Sequence, residues 1–190
     1  MATEDLPLQR IYWNERENAV RVLFTQPVRG SLREWNWTTA LDEARRVAAY
    51  LKAQNWPPGS RIAILSKNCA WWIMADFAIW MAGYTSVPIF PSLRDTSVAG
   101  ILDHSQPVAC FVGLLDRPPM IDSSPLNGLH RIAFPGAPSC EATAYWEKIL
   151  QQYEPARVDV VRGPLEIATI IYTSGTTGEP KGVIDRKSTR

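Results

Sequence analysis

The chain has 190 residues, 46% of them apolar, which suits one or two domains with a sizeable core. A net charge of +1 argues against a nucleic-acid partner or a polyanion-seeking surface. The three cysteines, Cys69, Cys110 and Cys140, are odd in number and show no CxxC spacing. That argues against a disulfide framework or a zinc site and points to a reducing, cytoplasmic setting.

The acidic start, Met1-Ala2-Thr3-Glu4-Asp5-Leu6-Pro7, has no apolar core and does not read as a signal peptide. Residues 19–24 and 32–38 read as two strands joined through Gly30 and Ser31, an N-terminal β-hairpin with Trp35 and Trp37 on one face. Thr38 or Thr39 is expected to cap a helix, with Asp42 and Glu43 near its positive end. Leu41, Ala44, Val47, Ala48 and Leu51 then recur at helical spacing until Pro57-Pro58-Gly59.

An alternation follows. Residues 61–66 form a short apolar run, hence a buried strand. The tryptophan-rich stretch 69–83 is shorter than the ~20 apolar residues of a membrane span and carries Asp76, so a buried helix is expected. Residues 85–90 read as a strand whose Pro88 suggests an edge or a strand end. A helix over about 96–104, a strand over 107–112 and a Pro/Ser/Asp-rich stretch over 114–128, a variable loop or poor helix, come next. Strand 131–134, helix 144–153 and a last strand over 166–172 complete the pattern. Such alternation implies a mostly parallel sheet flanked by helices, an α/β fold in which ligands bind beyond the carboxyl ends of the strands.

The last strand runs into Thr173-Ser174-Gly175-Thr176-Thr177-Gly178, all Gly, Ser or Thr, followed by Glu179-Pro180-Lys181-Gly182. Glycines bring backbone N–H groups close to a ligand, the hydroxyls add donors and Lys181 adds a charge, so a polyphosphate is the natural guest. A P-loop needs Gly-Lys followed by Ser or Thr, whereas Lys181 lies between Pro180 and Gly182. His104 and His130 show no partner at readable spacing and are expected at a surface or helix end. Cys69 is expected to start a helix. Trp71, Trp72 and Trp80 read as packing, with Asp76 the oddity on the face shared by positions 72, 76 and 80.

The stretch Tyr172 to Val183 closely resembles the phosphate-binding loop of the adenylate-forming (AMP-binding) superfamily. Residues 59–65 and 83–92 fall where that family has its first parallel strands. The wording Val87-Pro88-Ile89-Phe90-Pro91-Ser92 is most similar to long-chain fatty acyl-CoA synthetases. The resemblance implies the N-terminal part of the large domain of that fold. It also implies a reaction in which a carboxylate attacks ATP to give an acyl adenylate, which coenzyme A then converts to a thioester. Thr173, Ser174, Gly175, Thr176, Thr177, Gly178 and Lys181 would grip the ATP phosphates. Mg2+ would be held by residues the family places further along, so no metal ligand and no catalytic residue is assigned here.

The partners implied are small molecules (ATP, a fatty acid and coenzyme A), with peripheral membrane contact and oligomeric state left open. Family members are much longer, so residues 1–184 are expected to be an incomplete AMP-binding domain, inactive alone. Residues 185–190 do not continue the family pattern. The codons GAT CGG AAG AGC ACA CGT encode Asp-Arg-Lys-Ser-Thr-Arg and resemble the start of a sequencing adapter, so a non-native tail is expected, with Ile184 ambiguous. A carrier-protein-loading adenylation domain and a non-catalytic nucleotide-binding remnant are the competing readings.

Overall fold

A computed structural model describes residues 6–115, 126, 128–137, 142–174 and 180–185. The chain opens with a helix that the sequence pattern does not announce, α1 (Pro7–Asn18). Pro7 suits its first turn, where a missing N–H costs nothing. Leu8 and Tyr12, four apart, are its buried residues. Glu15 fixes it to the next helix through a two-pronged pair with Arg45, at 2.7 and 2.6 Å.

The hairpin is β1 (Val22–Val28) and β2 (Ser31–Asn36), antiparallel, so the first strand lies later than expected. Its turn residues Arg29 and Gly30 have φ of 50° and 85°, the paired left-handed conformations that match the twist of a two-residue hairpin. Trp37 does not share a strand face with Trp35, because it is the first residue of α2 (Trp37–Ala53). The cap of α2 is Asn36, whose Oδ1 accepts the Thr39 N–H at 2.8 Å. Asp42 and Glu43 lie beyond the first turn: Asp42 pairs with Arg46 at 2.8 Å, and Glu43 turns inward. The expected stripe Leu41, Ala44, Val47, Ala48 and Leu51 is fully buried.

The alternating part comprises β3 (Arg61–Leu65), α3 (Ala70–Met81), β4 (Thr85–Ile89), α4 (Asp95–Ser105), β5 (Ala109–Val112), β6 (His130–Ala133), β7 (Ala144–Tyr145), α5 (Trp146–Gln152) and β8 (Thr169–Ser174). A last strand, β9 (Pro180–Asp185), turns back antiparallel to β8. Among the described residues the sheet order is β7-β6-β5-β3-β4-β8-β9, parallel except for β8–β9. The expected helix over 144–153 begins as the short strand β7, and the expected strand over 166–172 begins only at Thr169. The loop expected over 114–128 falls largely outside the described residues.

Period-two alternation divides the core. Ile62, Ile64 and Phe111 face α2, α3 and α5, whereas Ala63, Leu65, Cys110 and Val112 face α4. Strands buried on both sides read as continuous apolar runs, which is why β3 and β5 stand out in the sequence.

Pro88 is not on an edge, since β4 lies between β3 and β8, but it stands one residue from the strand's end at Ile89, the other expected place. Ser86 donates its N–H to the Ala168 carbonyl at 3.0 Å, so Pro88, two residues on, faces the same neighbour. The β4–β8 ladder has only the Ser86–Thr169 bridge. No ladder bond is therefore lost at Pro88.

Helix α3 is 12 residues long, with Cys69 as its N-cap, and among the described residues no helix is long and apolar enough to cross a membrane. Its N-terminus is tied to the hairpin, because the Ala70 N–H donates to Gln26 Oε1 at 2.6 Å. Trp71 packs edge-on against Trp35 with ring centroids 5.7 Å apart. The Trp80 indole donates to the Ala168 carbonyl at 3.0 Å. Between α5 and β8 the chain has no regular structure, and it is held there by Arg162, whose guanidinium donates to the carbonyls of Trp80, Tyr84 and Ile167 at 3.3, 2.9 and 3.0 Å and pairs with Glu166 at 2.5 Å. The thiols of Cys69 and Cys110 are not in disulfides, and Cys140 lies outside the described residues.

Candidate functional site

The carboxyl ends of β3, β4, β5, β6 and β8 share one crest, because those strands run parallel. Two backbone bonds knit it: Lys67 N–H to the Leu114 carbonyl at 2.8 Å and Phe134 N–H to the Val112 carbonyl at 2.8 Å. At its centre Gly113 admits no side chain, since a Cβ there would sit 2.1 Å from Ser66 Oγ and 2.6 Å from the Phe134 ring.

Strand β8 delivers the hydroxyl- and glycine-rich loop at this crest. Ile170 and Tyr172 face the α4 side of the sheet, while Thr173 is exposed. Thr173 pairs with Lys181 across the β8–β9 hairpin, and Ser174 pairs with Pro180. Cross-strand partners share a face. Thr173 and the exposed Lys181 are thus brought to the two feet of the loop, on the same side. Of the other candidate residues, Ser174 ends β8, while Gly175, Thr176, Thr177 and Gly178 lie outside the described residues.

Tyr172, directly before Thr173, is anchored underneath. Its hydroxyl lies 2.6 Å from His104 Nδ1 at the end of α4, with the two rings nearly perpendicular at 83°. Burial pushes the phenol pKa up, and a hydrogen bond to Ser105 and the charge of Arg61 oppose that shift. Across the hairpin Tyr172 faces Gly182, where a Cβ would come within 3.2 Å of the ring. Gly182 therefore lets the ring approach β9 closely. His104 is exposed, as expected of a helix-end histidine, but it is not isolated; its partner is 68 residues away, beyond any local pattern. His130, expected at a surface or helix end, is instead half-buried as the first residue of β6; it too meets a distant hydroxyl, Tyr50 Oη at 2.5 Å, and burial lowers its pKa.

Asp76, the oddity on its face of α3, has its partner on the neighbouring strand β4. Its carboxyl meets the Ser86 hydroxyl, and burial raises its pKa to about 6. Ser86 Oγ lies 2.9 Å from Thr169 Oγ1, at the start of β8. Among the described residues no group of three or more His, Cys, Asp or Glu comes together, so no metal ligand is assigned.

Comparison with known proteins bears on this loop-bearing sheet. A long chain acyl-CoA synthetase of Arabidopsis thaliana is 30% identical over 169 residues, covering 79% of this chain and 25% of that protein. The peroxisomal benzoate–CoA ligase of the same plant is 29% identical over 167 residues, covering 79% and 29%. An anthranilate CoA ligase solved with anthranoyl-AMP superposes with a TM-score of 0.84 at 23% identity over 98% of this chain and 36% of that one. The acetoacetyl-CoA synthetase of Streptomyces lividans superposes with a TM-score of 0.82 at 20% identity over 95% and 30%. The chain thus spans about a third or less of the length of these proteins. The family model for AMP-binding enzymes matches residues 12–185, from the middle of α1 to the end of β9. The chain belongs to the AMP-binding enzyme family.

Proposed function

We propose that this chain is the N-terminal part of an AMP-forming acid–CoA ligase that activates a carboxylic acid with ATP and passes the acyl group to coenzyme A. The observation that carries the reading is the loop Tyr172 to Val183, with Thr173 and Lys181 paired at its feet at the carboxyl edge of a parallel sheet. The backbone and hydroxyls of Thr173, Ser174, Gly175, Thr176, Thr177 and Gly178 hold the β- and γ-phosphates, and Lys181 carries the charge that follows the leaving pyrophosphate. The loop positions and stabilises charge; it moves no proton. A magnesium ion shielding the phosphates would take its ligands from outside the described residues.

The acid is proposed to be a long-chain fatty acid. The Val87 to Ser92 segment and the synthetase relative support this, while the benzoate and anthranilate ligases among the similar proteins define the competing substrate class. The test is acid-dependent ATP–pyrophosphate exchange by the protein carrying the gene's sequence beyond Val183, with fatty acids of graded length against benzoate. Replacing Lys181→Ala is expected to lower kcat/KM for ATP about 10–100-fold, the worth of one charge-assisted bond, at an unchanged melting temperature. Activity of that variant within twofold of the unmodified protein would overturn Lys181's role. Exchange supported best by benzoate would overturn the fatty-acid assignment.

Residues 185–190 are proposed to be adapter-derived, on the codon match. Asp185 does pair with Thr169 as the last residue of β9, but a strand end accepts most residues. Resequencing the locus decides: genomic DNA that encodes Arg186 to Arg190 in place sinks the proposal.

A further inference from the structure

We propose that His104 is a positioning residue for adenylation, acting through Tyr172 to hold the phosphate loop's two feet in place. The proposal rests on the ligase reading above. Three elements meet at one phenol: α4 supplies His104 Nδ1 at 2.6 Å, β8 supplies Tyr172, and β9 supplies Gly182, whose bare backbone the ring covers. Helix α4 also lies against β9. The ring of Tyr172 joins the buried cluster of Val98, Ile101 and Leu102, so the helix and the hairpin share one packed contact.

One residue beyond the phenol is Thr173, and directly across from Thr173 is Lys181. A rotation of the Tyr172 ring displaces Gly182 and so alters the spacing of the pair that straddles the loop. Gripping a leaving group depends on that spacing, and small misplacements cost rate more than affinity. The bond reaches the imidazole from the loop's buried side, leaving the exposed face of Thr173 and Lys181 clear for a ligand. His104 therefore touches no phosphate; it sets where the phosphate-binding groups stand.

The test uses the protein carrying the sequence beyond Val183, with His104→Phe, which keeps a ring and removes the nitrogen, and His104→Asn, whose amide reaches the place of Nδ1. Tyr172→Phe removes the hydroxyl alone and serves if the His104→Phe variant does not fold. The Phe variants are expected to lower kcat for acid-dependent ATP–pyrophosphate exchange about tenfold, with KM for ATP within about threefold, while His104→Asn recovers most of the loss. Deuterium uptake at residues 169–174 and 180–184 is expected to rise about tenfold in the Phe variants and stay near the unmodified rate in His104→Asn. Unmodified protein without exchange activity removes the ligase reading, and the uptake data then decide the positioning claim alone. Unchanged uptake, a kcat within twofold in an active Phe variant, or an Asn variant no better than Phe overturns it.

Discussion

Asp76 lies on the face of α3 that it shares with Trp72 and Trp80, and its carboxyl meets Ser86 of β4 in a half-buried setting. Burial raises its pKa from 3.8 to about 6. A carboxyl with a raised folded value stabilises the fold fully below its unfolded value, and that contribution is lost as pH rises through about 6. The ceiling is about 3 kcal/mol, less here because the side chain is partly solvated. Asp76→Asn keeps an acceptor for Ser86 and carries no charge at any pH. Its unfolding free energy from urea titration is expected to exceed that of the unmodified protein at pH 7.5 by about 1–2 kcal/mol, with a higher midpoint, and both are expected to match the unmodified protein near pH 4. Equal midpoints at both pH values would contradict the assignment. The helical spacing of positions 72, 76 and 80 marked Asp76 as odd, but its partner lies on another element, so periodicity carried no sign of it.

At the scale of elements, Glu43 joins three of them. Its carboxylate accepts from Arg33 Nη2 at 2.6 Å and Trp35 Nε1 at 2.8 Å, both on β2, and from Trp146 Nε1 of α5 at 2.9 Å. With Glu43 8% exposed, these three donors replace the water that burial removes. Glu43→Gln leaves one terminal atom a donor facing donors, at a cost of about 3 kcal/mol. The check is chemical denaturation followed by the fluorescence of Trp35 and Trp146, which should lose cooperativity between hairpin and helix.

The elements that sequence reading finds well, α2, α3, β3 and β5, are those whose apolar period is set by one or two buried faces. Helix α1 escapes it because PLQRIYWNEREN buries only Leu8 and Tyr12 and holds its place by the Glu15–Arg45 pair. Strand β9 escapes because Pro180, Lys181 and Gly182 read as loop chemistry, and only their pairing with Thr173 and Tyr172 makes them a strand. For the candidate site, the loop composition was legible because its chemistry is local. His104 was not, since a helix end and a strand 68 residues apart meet only in the fold.

At the scale of the molecule, the sheet of the described residues has β9 as its last strand, where Val183 and Ile184 are 53% and 47% exposed and Ile171 of β8 is also open. An apolar edge strand is a template for further pairing. On the function proposed above, the loop would grip a leaving group while the acid is presented by other parts of the enzyme, so the 190-residue chain is expected to release no pyrophosphate in response to a fatty acid. Acid-dependent pyrophosphate release from this chain would refute that. The weight-average mass from light scattering is expected to rise with its concentration as edges pair.

The clasp made by Arg162 has a consequence for how the chain can be cut. Arg157 is exposed in the irregular segment after α5, while Arg162 is 9% exposed with its guanidinium spent on three carbonyls. A protease must draw the backbone around the cut into its cleft, so exposed loop residues are nicked before buried, hydrogen-bonded ones. Trypsin is therefore expected to nick the native chain after Arg157 and to spare Arg162, although the two are separated by only four residues. The two pieces should remain together, since everything from Arg162 to β8 stays buttoned to α3 and β4 after the cut.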